Sequence, residues 1–140
     1  MGYTNDMNRI WHNIFTYSRS ILSSGDFPLG KIGFYDITVL ALLHQNENLQ
    51  VKDVCKELGV AKSTMTSILK RLETSEYLVR RKVEHDGRGF YLGITEKGTE
   101  LLKKHEDFEN MIYMHILGGL NEEESSTLIK LLFKGCGMGR

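Results

Sequence analysis

Four hydroxyl side chains, Ser63, Thr64, Thr66 and Ser67, stand between Lys62 on one side and Lys70 and Arg71 on the other. Interleaved with them, Met65, Ile68, Leu69 and Leu72 recur at the spacing of an apolar helix stripe. If those four face a core, a step of about 100° per residue leaves Ser63, Thr66, Ser67 and Lys70 on the opposite side, with Thr64 and Arg71 at its edges. Short hydroxyls let a helix approach base edges and phosphates closely, and Lys and Arg supply the charge. The chemistry on offer is recognition of a polyanion. Bond-making sets are missing from the sequence pattern: nothing places a Ser/His/Asp or Cys/His group together. The Gly135, Gly137, Gly139 run has neither a strand before it nor a helix after it, so it is no nucleotide loop. No enzymatic activity is expected.

A second basic element follows. Tyr77 to Val83 is rich in strand formers, Glu84 to Gly89 is polar with two glycines, and Phe90 to Ile94 is apolar again, which predicts a hairpin tipped by HDGRG. It carries Arg80, Arg81 and Lys82 on one strand and Arg88 at the tip. An arginine on a protruding turn can enter the narrow minor groove, where the negative potential is strongest. Asp86, two residues earlier, is placed to support that turn.

The elements that must hold these groups are legible from periodicity. Asn5 to Leu22 predicts one amphipathic helix, and Phe34 to His44 a helix apolar on most sides and so buried. Val51, Val54, Cys55 and Leu58 predict a short helix, with Gly59 where a left-handed cap would end it. Cys55 falls on that stripe and reads as an inert core thiol. Thr95 is placed to cap a long helix marked by Leu101, Leu102, His105, Phe108, Ile112 and Ile116. Asn121 with Glu124 predicts a capping box for the last helix, which carries Leu128, Leu131 and Leu132. Gly135 to Arg140 reads as a frayed tail. The order is mainly α with a small β wing: a winged helix-turn-helix with N- and C-terminal dimerisation helices.

At 140 residues the chain is about one domain long. We assign 1–140 to a single domain, with 34–98 as the DNA-binding lobe and 5–22 and 96–134 as the dimerisation helices. Net charge is zero, which argues against a protein that merely coats DNA. Its distribution is polarised, however. Lys62 to Arg88 holds seven basic and four acidic residues, whereas Glu106 to Glu124 holds six acidic residues and no Lys or Arg. No apolar run approaches the roughly 20 residues of a membrane span, and the N-terminus has no secretory pattern, so the expected location is the cytoplasm. Two cysteines far apart predict neither a disulfide framework nor a zinc motif. His105 and Glu109 form a usable i, i+4 ligand pair, but spacing fixes no third ligand from His12, His44 or His115, so no metal and no cofactor is assigned.

The run DGRGFYLGITEKG resembles the D-x-R-x-x-x-L-x-[LI]-T-x-x-G signature of the MarR/SlyA family of bacterial transcription regulators, matched by Asp86, Arg88, Leu92, Ile94, Thr95 and Gly98. The preceding ELGVAKSTMTSILKRLE resembles the same family's helix pair. The resemblance implies a homodimer built from the first and last two helices, binding a pseudo-palindromic operator in double-stranded DNA, most simply as a repressor. By position, Lys62, Ser63, Thr64, Thr66, Ser67, Lys70 and Arg88 match the family's DNA-contacting places. It also implies a pocket for a small hydrophobic effector near Trp11, Phe15, Phe34, Tyr35, Leu40 and Phe108. The family favours a capping residue where Ala61 stands and glycine where Glu76 stands, so the recognition helix could start a residue or two away and the turn after it could differ. A winged-helix module for protein contacts, or a metal- or redox-sensing regulator of the same fold, is the alternative reading.

Overall fold

The computed structural model describes residues 2–23, 32–82 and 89–139. Its elements run α1 (Gly2–Ser23), α2 (Phe34–Gln45), α3 (Val51–Leu58), α4 (Lys62–Thr74), β1 (Leu78–Lys82), β2 (Phe90–Ile94), α5 (Glu96–Leu117) and α6 (Glu122–Gly135). The strands pair antiparallel from Leu78 opposite Ile94 to Lys82 opposite Phe90. Mainly helical with a two-stranded wing, this is the predicted fold class. The hairpin tip, with Asp86 and Arg88, lies outside the described residues.

Local sequence explains most boundaries. Gly59 ends α3 at φ +62°, where its lack of a Cβ removes the left-handed penalty. Thr95 Oγ1 accepts the Gly98 N–H at 3.0 Å to start α5, and Asn121 and Glu124 cap α6 reciprocally at 2.9 and 3.0 Å. Two expectations change. Ala61 takes the N-cap position of α4 without any side-chain cap, so the helix start does not shift. Nor is the tail frayed at Gly135: Gly137 at φ +68° lets the Met138 N–H reach the Phe133 carbonyl at 2.9 Å, closing α6 as a Schellman cap.

The chain packs as two compact units, one of residues Gly25–Asp107 and one of Met1–Ser24 with Phe108–Arg140. The first is the winged lobe and owns a continuous core: Val39, Leu40 and Leu43 of α2, Val54 of α3, Met65, Ile68, Leu69 and Leu72 of α4, Leu78 and Leu92 of the wing, and Leu101 of α5. A bridge absent from the sequence reading joins the lobe further, as Leu92 N–H donates to the Leu49 carbonyl at 2.8 Å. In the second unit Ile21 is the one buried hydrophobic among the described residues, and α6 buries none. There Trp11 is 66% and Leu131 59% exposed.

Among the described glycines of the lobe, Gly98 has the closest neighbour. A Cβ there would collide with the Tyr77 carbonyl oxygen, a backbone atom that cannot swing away, and would press on Ile94 Cγ1 at 2.8 Å. Gly98→Ala is therefore expected to cost about 2 kcal/mol or more, measured by urea unfolding. Gly119→Ala, which meets nothing within 4 Å, should stay within about 0.5 kcal/mol of the parent.

Candidate nucleic-acid interface

The helix that follows the α3–α4 turn divides as its periodicity predicts. Met65, Ile68, Leu69 and Leu72 are at most 4% exposed, while Lys62, Ser63, Thr64, Thr66, Ser67 and Lys70 all lie on the exposed side. Thr66 Oγ1–H donates to the Lys62 carbonyl at 2.8 Å and Ser67 Oγ–H to the Ser63 carbonyl at 3.4 Å. Because Ala61 offers no cap, the first N–H groups of α4 are left for solvent or an anion, at the positive end of the helix dipole.

Arg71 has a different environment from the other basic residues of α4. Its Nε donates to Asp36 Oδ2 at 3.1 Å and its Nη2 to Asp36 Oδ1 at 2.5 Å, a bidentate pair between α4 and α2. Asp36 is 1% exposed, and its Oδ2 also accepts the Gly33 N–H at 3.1 Å at the start of α2. One buried carboxylate therefore caps its own helix and clamps the recognition helix. The hydrogen bond to Asp36 raises the Arg71 pKa, burial lowers it by less, and the carboxylate's charge adds to the rise. For a base, a raised folded-state pKa means that the contribution is complete at neutral pH and is lost only as pH climbs through the strongly alkaline range.

Sequence reasoning missed Asp36. The available signal was an acid inside an otherwise apolar helix, which is rarely buried unless paired. A second clamp was also missed: Arg80 Nε on β1 donates to Glu73 Oε2 of α4 at 2.6 Å. The wing arginines are thus not equivalent. Alternation along β1 places Arg81 on the other face, where it borders a cleft with Leu43 and His44 of α2. Between α3, α4 and the wing lies a cleft of about 510 Å³ bordered by Lys52, Lys62 and Arg80, with no carboxylate in its walls among the described residues. Cys55 borders it and is half-buried, so it is not the fully enclosed core thiol expected, because the short α3 buries only Val54.

The turn at Glu76 keeps the left-handed conformation for which glycine is favoured, at φ +65°. A non-glycine residue there costs on the order of 1 kcal/mol, and three contacts hold it. Thr95 Oγ1–H donates to the Glu76 carbonyl at 2.6 Å, Lys97 Nζ donates to the Ser75 carbonyl at 2.9 Å, and the same ammonium sits 5.0 Å from the centre of the Tyr77 ring.

The residues expected to line an effector pocket are placed differently from one another. Leu40 is fully buried in the core of the winged lobe. Phe34, 80% exposed, meets Tyr35 edge to face at 5.8 Å. Trp11 and Phe15 are exposed on α1, and Phe108 is half-buried on α5. Among the described residues, no three His, Cys, Asp or Glu side chains group closely enough to hold a metal, and no helix is long and apolar enough to cross a membrane.

A helix pair with a polar outer face, buttressed by α2 and flanked by a two-stranded wing, defines a winged-helix protein. Comparison with known proteins agrees. The model of the MarR family matches residues 36–89. The transcriptional regulator SarZ of Staphylococcus epidermidis is 25% identical over 92 residues, 66% of this chain and 61% of SarZ, so the match spans under two thirds of that relative's length. The transcriptional regulator Tm0710 of Thermotoga maritima is 29% identical, with 96% of this chain and 92% of that one covered and a TM-score of 0.60. MepR of Staphylococcus aureus shares the fold, in a mutant bound to an oligodeoxyribonucleotide (23% identity, TM-score 0.68, 96% of each chain) and bound to ethidium bromide (22%, 0.74, 96% and 94%). Over the winged lobe the chain is similar to the MarR family of winged-helix transcription regulators. These relatives are regulators and not enzymes.

The Asp36 clamp is testable. Asp36→Asn keeps the shape but removes the charge, and should cost about 2 kcal/mol of stability by chemical denaturation, with no change in that cost between neutral and mildly alkaline pH. Arg71→Lys should fail to restore the parent value, since an ammonium cannot span both carboxylate oxygens.

Proposed function

We propose that this chain is a sequence-specific DNA-binding transcription regulator that works as a homodimer on a pseudo-palindromic operator, acts as a repressor by occupying that site, and is modulated by a small hydrophobic effector. The observation that carries the reading is the outer face of α4, where four hydroxyls and the Lys62 and Lys70 ammonium groups stand exposed over a fully buried inner face. In this reading α4 enters the major groove with Lys62, Ser63, Thr64, Thr66, Ser67 and Lys70. Its uncapped N-terminus meets a phosphate, and Arg88, supported by Asp86, reaches the minor groove. Arg71 serves chiefly to fix the angle of the helix, with its outer edge available to a phosphate. The complex of MepR with an oligodeoxyribonucleotide supports the docking.

Dimerisation is supported by the second unit, which leaves Met7, Trp11, Phe15, Met114, Leu131 and Leu132 between 47% and 66% exposed. That is more apolar surface than a monomer ordinarily leaves in water, and a second copy offers the same surface in return. Two recognition helices would then meet successive major grooves about 34 Å apart. For an effector, the exposed aromatic surface at Phe34 and Tyr35, and at Trp11 and Phe15, offers stacking partners to a flat apolar molecule. The binding of ethidium by MepR supports that choice of ligand class. Action on DNA places the protein in the cytoplasm.

A mobility shift titrated with salt on genomic fragments selected by the protein tests the DNA reading. Affinity should fall steeply with salt, and Lys70→Ala should flatten the slope by about one. If Lys70→Ala and Arg88→Ala together leave operator affinity unchanged, this docking is wrong. For the dimer, sedimentation at micromolar concentration should show twice the chain mass for the parent and one chain mass for the doubly substituted Leu131→Glu, Leu132→Glu protein. A monomeric parent would overturn the assembly.

A further inference from the structure

One hydroxyl on the outer face of α4, that of Thr66, is not free to act in both senses. A side-chain hydroxyl has one proton and two lone pairs. In Thr66 the proton is committed to the Lys62 carbonyl, one helical turn back, at 2.8 Å; in Ser67 the corresponding bond to Ser63 is much longer, at 3.4 Å. The Thr66 oxygen therefore turns only lone pairs outward, beside its exposed methyl group. The strong donors of this face are the Lys62 and Lys70 ammonium groups, one turn before Thr66 and one turn after it.

We propose that Thr66 is the specificity-determining residue that separates adenine and cytosine from guanine at one base pair of each half-site, through a hydroxyl that accepts but does not donate. This rests on the DNA-reading function proposed above and adds to it the polarity of one contact. In the major groove adenine projects the N6 amino group and cytosine the N4 amino group, whereas guanine offers only the acceptors N7 and O6. An acceptor meets the amino groups favourably and faces the guanine lone pairs unfavourably. Donating to guanine would require Thr66 to give up its bond to Lys62 and leave that carbonyl without this partner beneath bound DNA. The threonine methyl adds an apolar contact for thymine, so the contact as a whole favours an A·T pair.

The experiment compares duplexes selected from a random pool by the parent, Thr66→Val and Thr66→Ser. Valine keeps the shape and methyl but deletes the lone pairs; serine keeps the hydroxyl. The parent pool should be depleted of guanine at one position per half-site. Thr66→Val should lose that depletion, with the preference for adenine over guanine falling roughly tenfold. Thr66→Ser should retain the depletion. A duplex carrying purine, which lacks the N6 amino group, in place of that adenine should bind the parent as weakly as the adenine duplex binds Thr66→Val. If the Thr66→Val pool keeps the parent's guanine depletion, or the purine duplex binds the parent undiminished, the role of Thr66 is overturned and the DNA reading stands. A parent that selects no sequence at all overturns the DNA reading itself.

Discussion

The Asp36 carboxylate is the constraint on which the geometry of the winged lobe turns. It is buried, it closes the first turn of α2 through the Gly33 N–H, and it holds both arms of the Arg71 guanidinium. A buried anion is costly unless its lone pairs are satisfied, so the positions of the Gly33 N–H and the Arg71 fork are tied to it. The apolar core beneath α4 fixes which face is buried but tolerates rotation and sliding. A planar, two-point ion pair tolerates far less. The Arg80–Glu73 bond ties the same helix to β1.

These clamps explain a tension in the charge pattern. The basic middle of the chain looks like a uniform electrostatic patch, yet two of its arginines are engaged within the lobe, Arg71 with Asp36 and Arg80 with Glu73. What remains exposed on α4 is sparser and more specific: two lysines one turn on either side of Thr66, and a Thr66 hydroxyl with a defined polarity. Such a surface suits a reader better than a coating, as the zero net charge also argues. The two units differ in the same spirit. The winged lobe owns a continuous buried core, whereas the unit of the terminal helices leaves most of its apolar groups facing water.

Much of this was legible in the residues. The alternation of Met65, Ile68, Leu69 and Leu72 with hydroxyls, the glycine after Leu58, the Asn121–Glu124 box and the spacing from Leu92 to Gly98 each specify a neighbour within a turn or a strand pair, and each stands as expected. Glu76 shows the limit. Its departure from glycine suggested an altered turn, but Thr95, Lys97 and Tyr77 hold the left-handed backbone in place. Thr95 and Lys97 lie 19 and 22 positions from the carbonyls they hold, and they meet them only after folding.

The sequence by itself determined the order of elements, their caps and the inner and outer faces of α4, because helix and strand periods and capping bonds join residues one to four positions apart. Only the tertiary structure decided what Arg71 and Arg80 hold, that Asp36 is the pivot, and that Cys55 borders a cleft. Partners such as Asp36 and Arg71, 35 positions apart, are brought together by the docking of helices, and no local spacing encodes that meeting.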